Sequence, residues 1–395
     1  MIQVLRTSNL IRFTVAVLAF CFFSSCAKDV LDKFPGNANQ GGGKVDTVKT
    51  SPNPDTSKIP VPRPLVDSII VRVRAIVQVG DITYDSIPAR LLFTSFDSAN
   101  VAHSRTLELT PGVNQVKVPK AHIAYQLRLS AFGQTLEQSI VAAEYNPAMV
   151  IEFNGSRQPK RLSKEESYRM IDGQAVPDGQ TFYEYAANNR LSRIVYYKKF
   201  PHSADLQLDF SEQYNYESGR LKIINLYTYY NERMGFIEFV YDGSGRITNM
   251  HQEMSGQHTY AAVNHALFNG EGSIGIDYLY HTGQAMEYVM EFSGGNKVSE
   301  AGTTSAGKSE GGGFTYDHYI NPYAHMGMLN IYLSNSSKNN LIAQQKGYSG
   351  SIPSAVPYKY EYKYDADGYP VELLKSFRSY LDGKHLYQIK TVYTY

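Results

Sequence analysis

The stretch Tyr360-Glu361-Tyr362-Lys363-Tyr364-Asp365-Ala366-Asp367-Gly368-Tyr369-Pro370-Val371 decides how this chain folds. Tyrosine alternates with charge at period two, which puts the rings on one face of a strand and Glu361 and Lys363 on the other. Asp365 to Gly368 then supplies a turn, because aspartate bonds its own backbone two residues on and glycine accepts positive φ without penalty. Working outward, the same unit recurs as two aromatics at i and i+2, a turn, Arg or another polar residue, and an aliphatic. The copies are Tyr183 and Tyr185 before Asn188-Asn189-Arg190-Leu191, Tyr214 and Tyr216 before Ser218-Gly219-Arg220-Leu221, and Phe239 and Tyr241 before Gly243-Ser244-Gly245-Arg246-Ile247. Each reads as a β-hairpin, and successive hairpins make an antiparallel meander with an aromatic ladder across its strands. Residues 180–395 are therefore expected to form a Tyr-rich β-repeat domain, a curved, open-barrel-like sheet with rings filling one side. The closing strand Tyr387 to Tyr395 would also suit a transmembrane barrel.

Upstream, residues 65–155 carry short alternating runs such as Val66 to Val79, Leu91-Leu92-Phe93 and Tyr125 to Leu129, broken by Gly80-Asp81 and Pro111-Gly112. That rhythm predicts a small immunoglobulin-like or transthyretin-like β-sandwich. Residues 156–179 read as a connector, in which Ser163-Lys164-Glu165-Glu166 has the pattern of a capping box and would open a short helix. The fold class expected is thus all-β, a sandwich followed by a hairpin-repeat meander.

Residues 1–25 have the form of a secretion signal: Arg6 and Arg12 precede the apolar run Phe13 to Phe23, which is too short to span a bilayer. Phe23-Ser24-Ser25-Cys26 resembles a lipobox, which implies lipidation at Cys26. Lys28 and Asp29 directly behind it resemble the export signal of surface lipoproteins of the Bacteroidota. Residues 26–64 are rich in Gly, Pro, Ser, Thr and Asp and read as a disordered tether.

The repeat region resembles the Tyr-Asp (YD, RHS-like) repeats, and more closely the β-repeat lipoproteins of unknown function of the Bacteroidota. The motifs carrying the closer resemblance are Tyr241-Asp242, Tyr364-Asp365, Tyr316-Asp317 with Asn321-Pro322-Tyr323, and Ser336 to Asn340. The resemblance implies a surface lipoprotein and no settled activity.

Signals for chemistry are sparse. With 38 basic against 37 acidic side chains there is no basic surface for nucleic acid, and two cysteines make no disulfide scaffold. His251, His258 and His265 recur every seven residues, a spacing that alternates faces on a strand and does not build a zinc site. Asp365-Ala366-Asp367-Gly368 lacks the further ligands of a calcium loop and is explained by its turn. Glu287 with Glu291, or Asp205 with Asp209, lie four apart on strands, about 13 Å, too far for a glycosidase pair. Gly294 to Gly313 reads as a mobile loop. No catalytic residue, metal or cofactor is expected. The function expected is a non-enzymatic, outer-membrane-anchored surface lipoprotein presenting a β-repeat interaction surface. Its partners would be the membrane, through the lipid, and an extracellular glycan or protein. Two alternatives stand beside it: a glycan-binding accessory protein of a nutrient-uptake system, in which Tyr rings stack on sugars, and an enzyme acting on polysaccharide.

Overall fold

The computed structural model describes residues 68–395 apart from 202, 269, 305–308, 327–336, 349–357 and 379–385. The signal-like segment, Cys26, Lys28, Asp29 and the 26–64 tether lie outside the described residues, as does Ser336.

Eight strands come first: β1 (Ser68–Val79), β2 (Ile82–Tyr84), β3 (Ala89–Phe96), β4 (Ala102–Leu109), β5 (Asn114–Pro119), β6 (Ala124–Ala131), β7 (Gln134–Val141) and β8 (Val150–Arg157). They form two four-stranded sheets. In one, β1 runs antiparallel to β2 and β5 and parallel to β8, and the other has the order β4-β3-β6-β7. Alternation along each strand sends Val71, Val73 and Val77, Leu91 and Phe93, and Leu127 and Leu129 into one shared core. Such β-branched and aromatic side chains suit a half-buried pleated surface, and burying each fully contributes about 1.5–3 kcal/mol.

Sixteen further strands follow: β9 (Lys164–Ile171), β10 (Gln174–Tyr185), β11 (Leu191–Lys199), β12 (Leu206–Glu217), β13 (Arg220–Thr228), β14 (Arg233–Tyr241), β15 (Ile247–Met254), β16 (Gln257–Phe268), β17 (Glu271–Tyr280), β18 (Ala285–Ser293), β19 (Asn296–Thr304), β20 (Ser309–Ile320), β21 (Asn339–Tyr348), β22 (Tyr358–Tyr364), β23 (Pro370–Arg378) and β24 (Leu386–Thr394). Each is antiparallel to the next, and β24 pairs back onto β9 from Ile389↔Arg169 to Thr394↔Lys164. The result is a closed barrel of sixteen strands.

Closure corrects the expected fold, a sandwich followed by an open meander. The closing strand β9 sits where a connector and a capping-box helix were expected. Its sequence, KEESYRMI, alternates no clear apolar face, so nothing in its periodicity marks it as a strand. Glu165 and Glu166 serve as ladder residues there and cap no helix. Within the loop expected from Gly294 to Gly313, Asn296–Thr304 and Ser309 to Gly313 are strand, in β19 and β20. At Gly302 a Cβ would meet the Met286 Cε at 2.7 Å and the Tyr288 ring at 3.2 Å, so a larger residue there would displace the end of the Met286 side chain.

Strand direction alternates, so the turns after β10, β12, β14 and β22 all fall on one rim, together with Tyr395. A short 3-10 turn, Pro322–His325, leaves the same rim after β20, with the Asn321 side chain accepting the Tyr323 N–H at 3.1 Å. The first unit packs on this rim, since Ile320 and Tyr369 of the barrel are buried in its core.

Candidate functional site

The repeated aromatics are consumed by the rim. In each of four hairpins the second aromatic sits at a bulge, between Glu184 and Tyr185, Asn215 and Tyr216, Val240 and Tyr241, and Lys363 and Tyr364. The hydroxyls of two of these rings, and that of Tyr395, reach backbone carbonyls of neighbouring segments. Tyr185 donates to the Leu162 carbonyl at 2.9 Å, Tyr241 to Leu221 at 2.5 Å, and Tyr395 to Pro370 at 2.8 Å. The repeat's Arg then covers the next ring: Arg190 lies 5.3 Å from the centroid of Tyr216 and Arg220 5.7 Å from Tyr241, with Arg161 over Tyr185 at 5.4 Å. Each contact is a cation–π pair of about 0.5–1 kcal/mol at a partly exposed site.

Inside, the barrel wall is apolar and aromatic, with Ile224, Ile237, Phe239, Ile274, Ile276 and Phe292 in one buried cluster. Several of the described polar groups in this interior are matched to one another. Glu165 accepts hydroxyls from Tyr183 at 2.7 Å and from Tyr323, and burial pushes its carboxyl above the ordinary range. Lys297 and Glu300 form a buried ion pair at 2.7 Å, which the Tyr288 hydroxyl joins. Lys375 lies 4.6 Å from the Tyr358 ring centroid and 5.5 Å from that of Tyr360, and burial pulls its ammonium down.

The Tyr316-Asp317, Asn321-Pro322-Tyr323 and Ser337 to Asn340 motifs meet in one network. Asp317 accepts the backbone N–H groups of Tyr319 at 2.9 Å and Asn340 at 3.1 Å, and the Tyr364 hydroxyl. Asn321 Nδ2 donates to the Ser337 carbonyl at 2.7 Å, and Asn339 Nδ2 to Tyr319 at 2.9 Å. This hub fixes the segment that inserts Tyr323 beside Glu165 and presents His325 to the first unit, where its Nε2 lies 3.1 Å from the Tyr84 hydroxyl. Desolvation pulls His325 down to about 4, so it is neutral at pH 7.

Asp365 and Asp367 form an interdomain latch. Lys160 Nζ reaches Asp365 Oδ2 and Asp367 Oδ2, each at 2.6 Å, while Arg157 Nη1 donates to Asp367 Oδ1 and to the Phe132 carbonyl, each at 2.8 Å. The two cations hold the Asp367 carboxyl below the usual carboxylate range.

The outer wall has the opposite character. On β18, Glu287, Val289 and Glu291 are exposed and alternate with the inward Met286, Met290 and Phe292, and on β22 Lys359, Glu361 and Lys363 alternate with inward tyrosines. Lys222 pairs with Glu238 at 3.0 Å, and Lys363 and Lys390 both reach Glu372, at 2.7 and 2.6 Å. A lysine on a lipid-facing wall costs about 2–4 kcal/mol near the bilayer midplane. Closed barrels are one of the two architectures able to span a membrane, so closure alone is compatible with an outer-membrane location. On β18 and β22, however, the apolar side faces inward, the reverse of a lipid-facing barrel, while Val240, Tyr260 and Leu279 elsewhere on the wall are exposed.

Of the three spaced histidines, His251 and His258 meet on the outer wall at 3.1 Å, while His265 bonds the Ile247 carbonyl at 2.9 Å. Among the described residues no group of three or more His, Cys, Asp or Glu is placed to hold a metal ion. Glu287 and Glu291 stand on one outer strand, with Glu291 accepting the Ser299 hydroxyl at 2.5 Å.

These positions overturn the expected function, that of a surface lipoprotein displaying an aromatic repeat sheet. Closure turns that face into the barrel interior, where the rings bond carbonyls and one another. The alternative of a sugar-stacking Tyr platform falls for the same reason, and with it the lipoprotein, YD-repeat and sandwich description on which both were built.

No protein-family model matches the chain, and no curated protein matches it. Among solved structures, a porin-like protein from Bacteroides uniformis ATCC 8492 is 14% identical, with 60% of this chain and 98% of that one covered and a TM-score of 0.33. A porin-like protein from Bacteroides vulgatus ATCC 8482 is 9% identical, with 59% and 98% covered and a TM-score of 0.31. At that level of likeness, function rests on the geometry of this chain.

Proposed function

We propose that the protein is a capped, water-facing β-barrel that works as a rigid binding scaffold, with its interior committed to its own core and its outer wall open to partners. The observation that carries this reading is the alternation of exposed charge outside against Met, Phe and Tyr inside on β18 and β22. The cation–aromatic rim and the latch add rigidity at the capped end, and rigid elements hold a site more accurately than loops do.

Sixteen-stranded closure favours a second reading, a conducting channel, because barrels of that size can enclose water. One experiment separates the two. Purified in buffer without detergent, the chain should be monodisperse and should leave the conductance of a planar bilayer unchanged. A chain that stays in solution only with detergent and produces discrete conductance steps would establish the channel instead.

A further inference from the structure

We propose that the outer wall carries a binding site for a small organic cation, in the depression over Ala262 between β15 and β17. The proposal rests on the reading that this wall faces water. Its volume is about 410 Å³, within the roughly 300–1,000 Å³ of small-molecule sites.

Side-chain height creates it. Val240, Asn249, Ala262 and Asp277 stand in one row across four strands, and His251, Tyr260 and Leu279 in the next. Ala262 is the short member, so its methyl forms a floor between Asn249 and Asp277, with Tyr260 and Leu279 as a wall. Those walls stand in solvent, with Tyr260 and Leu279 each 51% exposed. Exposed apolar groups gathered around a gap mark an interaction site more often than scattered ones do. Tyr260 is held by a parallel stack on His251, at 4.5 Å and 7°. His251 in turn is braced edge-on by Phe236, at 5.1 Å and 88°. The ring is thus ordered before any ligand arrives, which lowers the entropy cost of binding.

Charge selects the ligand. Asp277 Oδ2 accepts from Asn264 Nδ2 at 3.2 Å, and its Oδ1 has no partner among the described residues. Glu287 stands directly across from Asp277 on β18. No Lys or Arg lines the depression. An ammonium with an apolar body would pair with Asp277, lie against the Tyr260 ring and cover Ala262 and Leu279. An anion would meet two carboxylates, and a neutral molecule would gain only the apolar contact.

The test is calorimetric titration of the full, detergent-free chain at pH 7 with phenethylamine and with its neutral counterpart 2-phenylethanol. The amine should bind about tenfold or more tightly than the alcohol. Asp277→Asn should bring the amine down to the alcohol's level at an unchanged Tm, and Ala262→Leu should remove both. Should the leucine variant fail to fold, the exposed, isosteric Asp277→Asn decides alone. Equal affinities, no saturable binding, or a preference that survives Asp277→Asn would overturn the site. A chain that requires detergent would overturn the water-facing reading and the site with it, whereas a monodisperse chain without the preference would overturn the site alone.

Discussion

Glu165 is a carboxyl held by two tyrosine hydroxyls inside the barrel, with burial raising its pKa above the ordinary 4.5. The folded state therefore binds this proton more tightly than the unfolded chain. Its contribution is complete below about pH 4.5 and is lost as pH rises through the folded value. Glu165→Gln keeps an oxygen acceptor for Tyr183 and Tyr323 and removes the charge. Its Tm should equal or exceed that of the wild type at pH 7, with a gap that widens as pH rises in a series of thermal melts. Glu165→Ala leaves both hydroxyls without their acceptor and should cost about 1–3 kcal/mol for each that stays dry, read by denaturant titration. His325 titrates in the opposite sense. Its folded pKa of about 4 lies below the ordinary 6.5, so the unfolded chain takes up the proton first and stability falls as pH drops from about 6.5 to about 4. A drop from 6.5 to about 4 bounds the loss at about 3.5 kcal/mol, at about 1.4 kcal/mol for each tenfold change in proton affinity. His325→Gln should flatten that part of the profile, and an unchanged profile would show that the histidine is solvated.

At the scale of the hairpin, the repeat is a stapling device. The ring of Tyr241 bonds the carbonyl of the preceding hairpin through its hydroxyl and carries Arg220 on its face. Tyr241→Phe removes the hydrogen bond and should cost about 0.5–1.5 kcal/mol, while a cycle of Arg220→Ala with Tyr241→Leu should show coupling of about 0.5–1 kcal/mol. Additive free energies in that cycle would mean the guanidinium only passes near the ring. This unit was legible in the sequence, because period-two tyrosines and the Asn, Ser-Gly or Asp-x-x-Gly turn constrain local backbone geometry. Asn189 and Gly368 do take positive φ, 69° and 82°. Sheet closure was not legible, since it depends on β9, which pairs with β24 more than 200 residues away and alternates no apolar face. Glu165 was visible as a residue and misassigned in role, because Ser-x-x-Glu fits a ladder as well as a cap. The depression over Ala262 could not be read at all: it needs Val240, Asn249, Ala262 and Asp277 from four strands set side by side, and only the register does that.

For the whole molecule, the question is whether the first unit and the barrel unfold together. Inter-domain contacts of modest area usually leave two independent transitions. Here the boundary is not a modest contact, because Tyr369 and Ile320 of the barrel are buried in the core of the first unit, and Lys160 and Arg157 bridge to Asp365 and Asp367. The turn that carries these groups is tight at Gly368, where an added Cβ would meet the Phe132 ring at 2.5 Å with φ at 82°. Wild type should accordingly give a single calorimetric transition. Gly368→Ala must strain the backbone by about 1–3 kcal/mol and push the Phe132 ring out of the interface, so the first unit should melt separately and earlier. Asp367→Asn, which weakens the bridges and adds no bulk, should lower the transition and leave it single. Two transitions in the wild type, or a Gly368→Ala trace identical to it, would show that the barrel and its cap fold as neighbours rather than as one cooperative body.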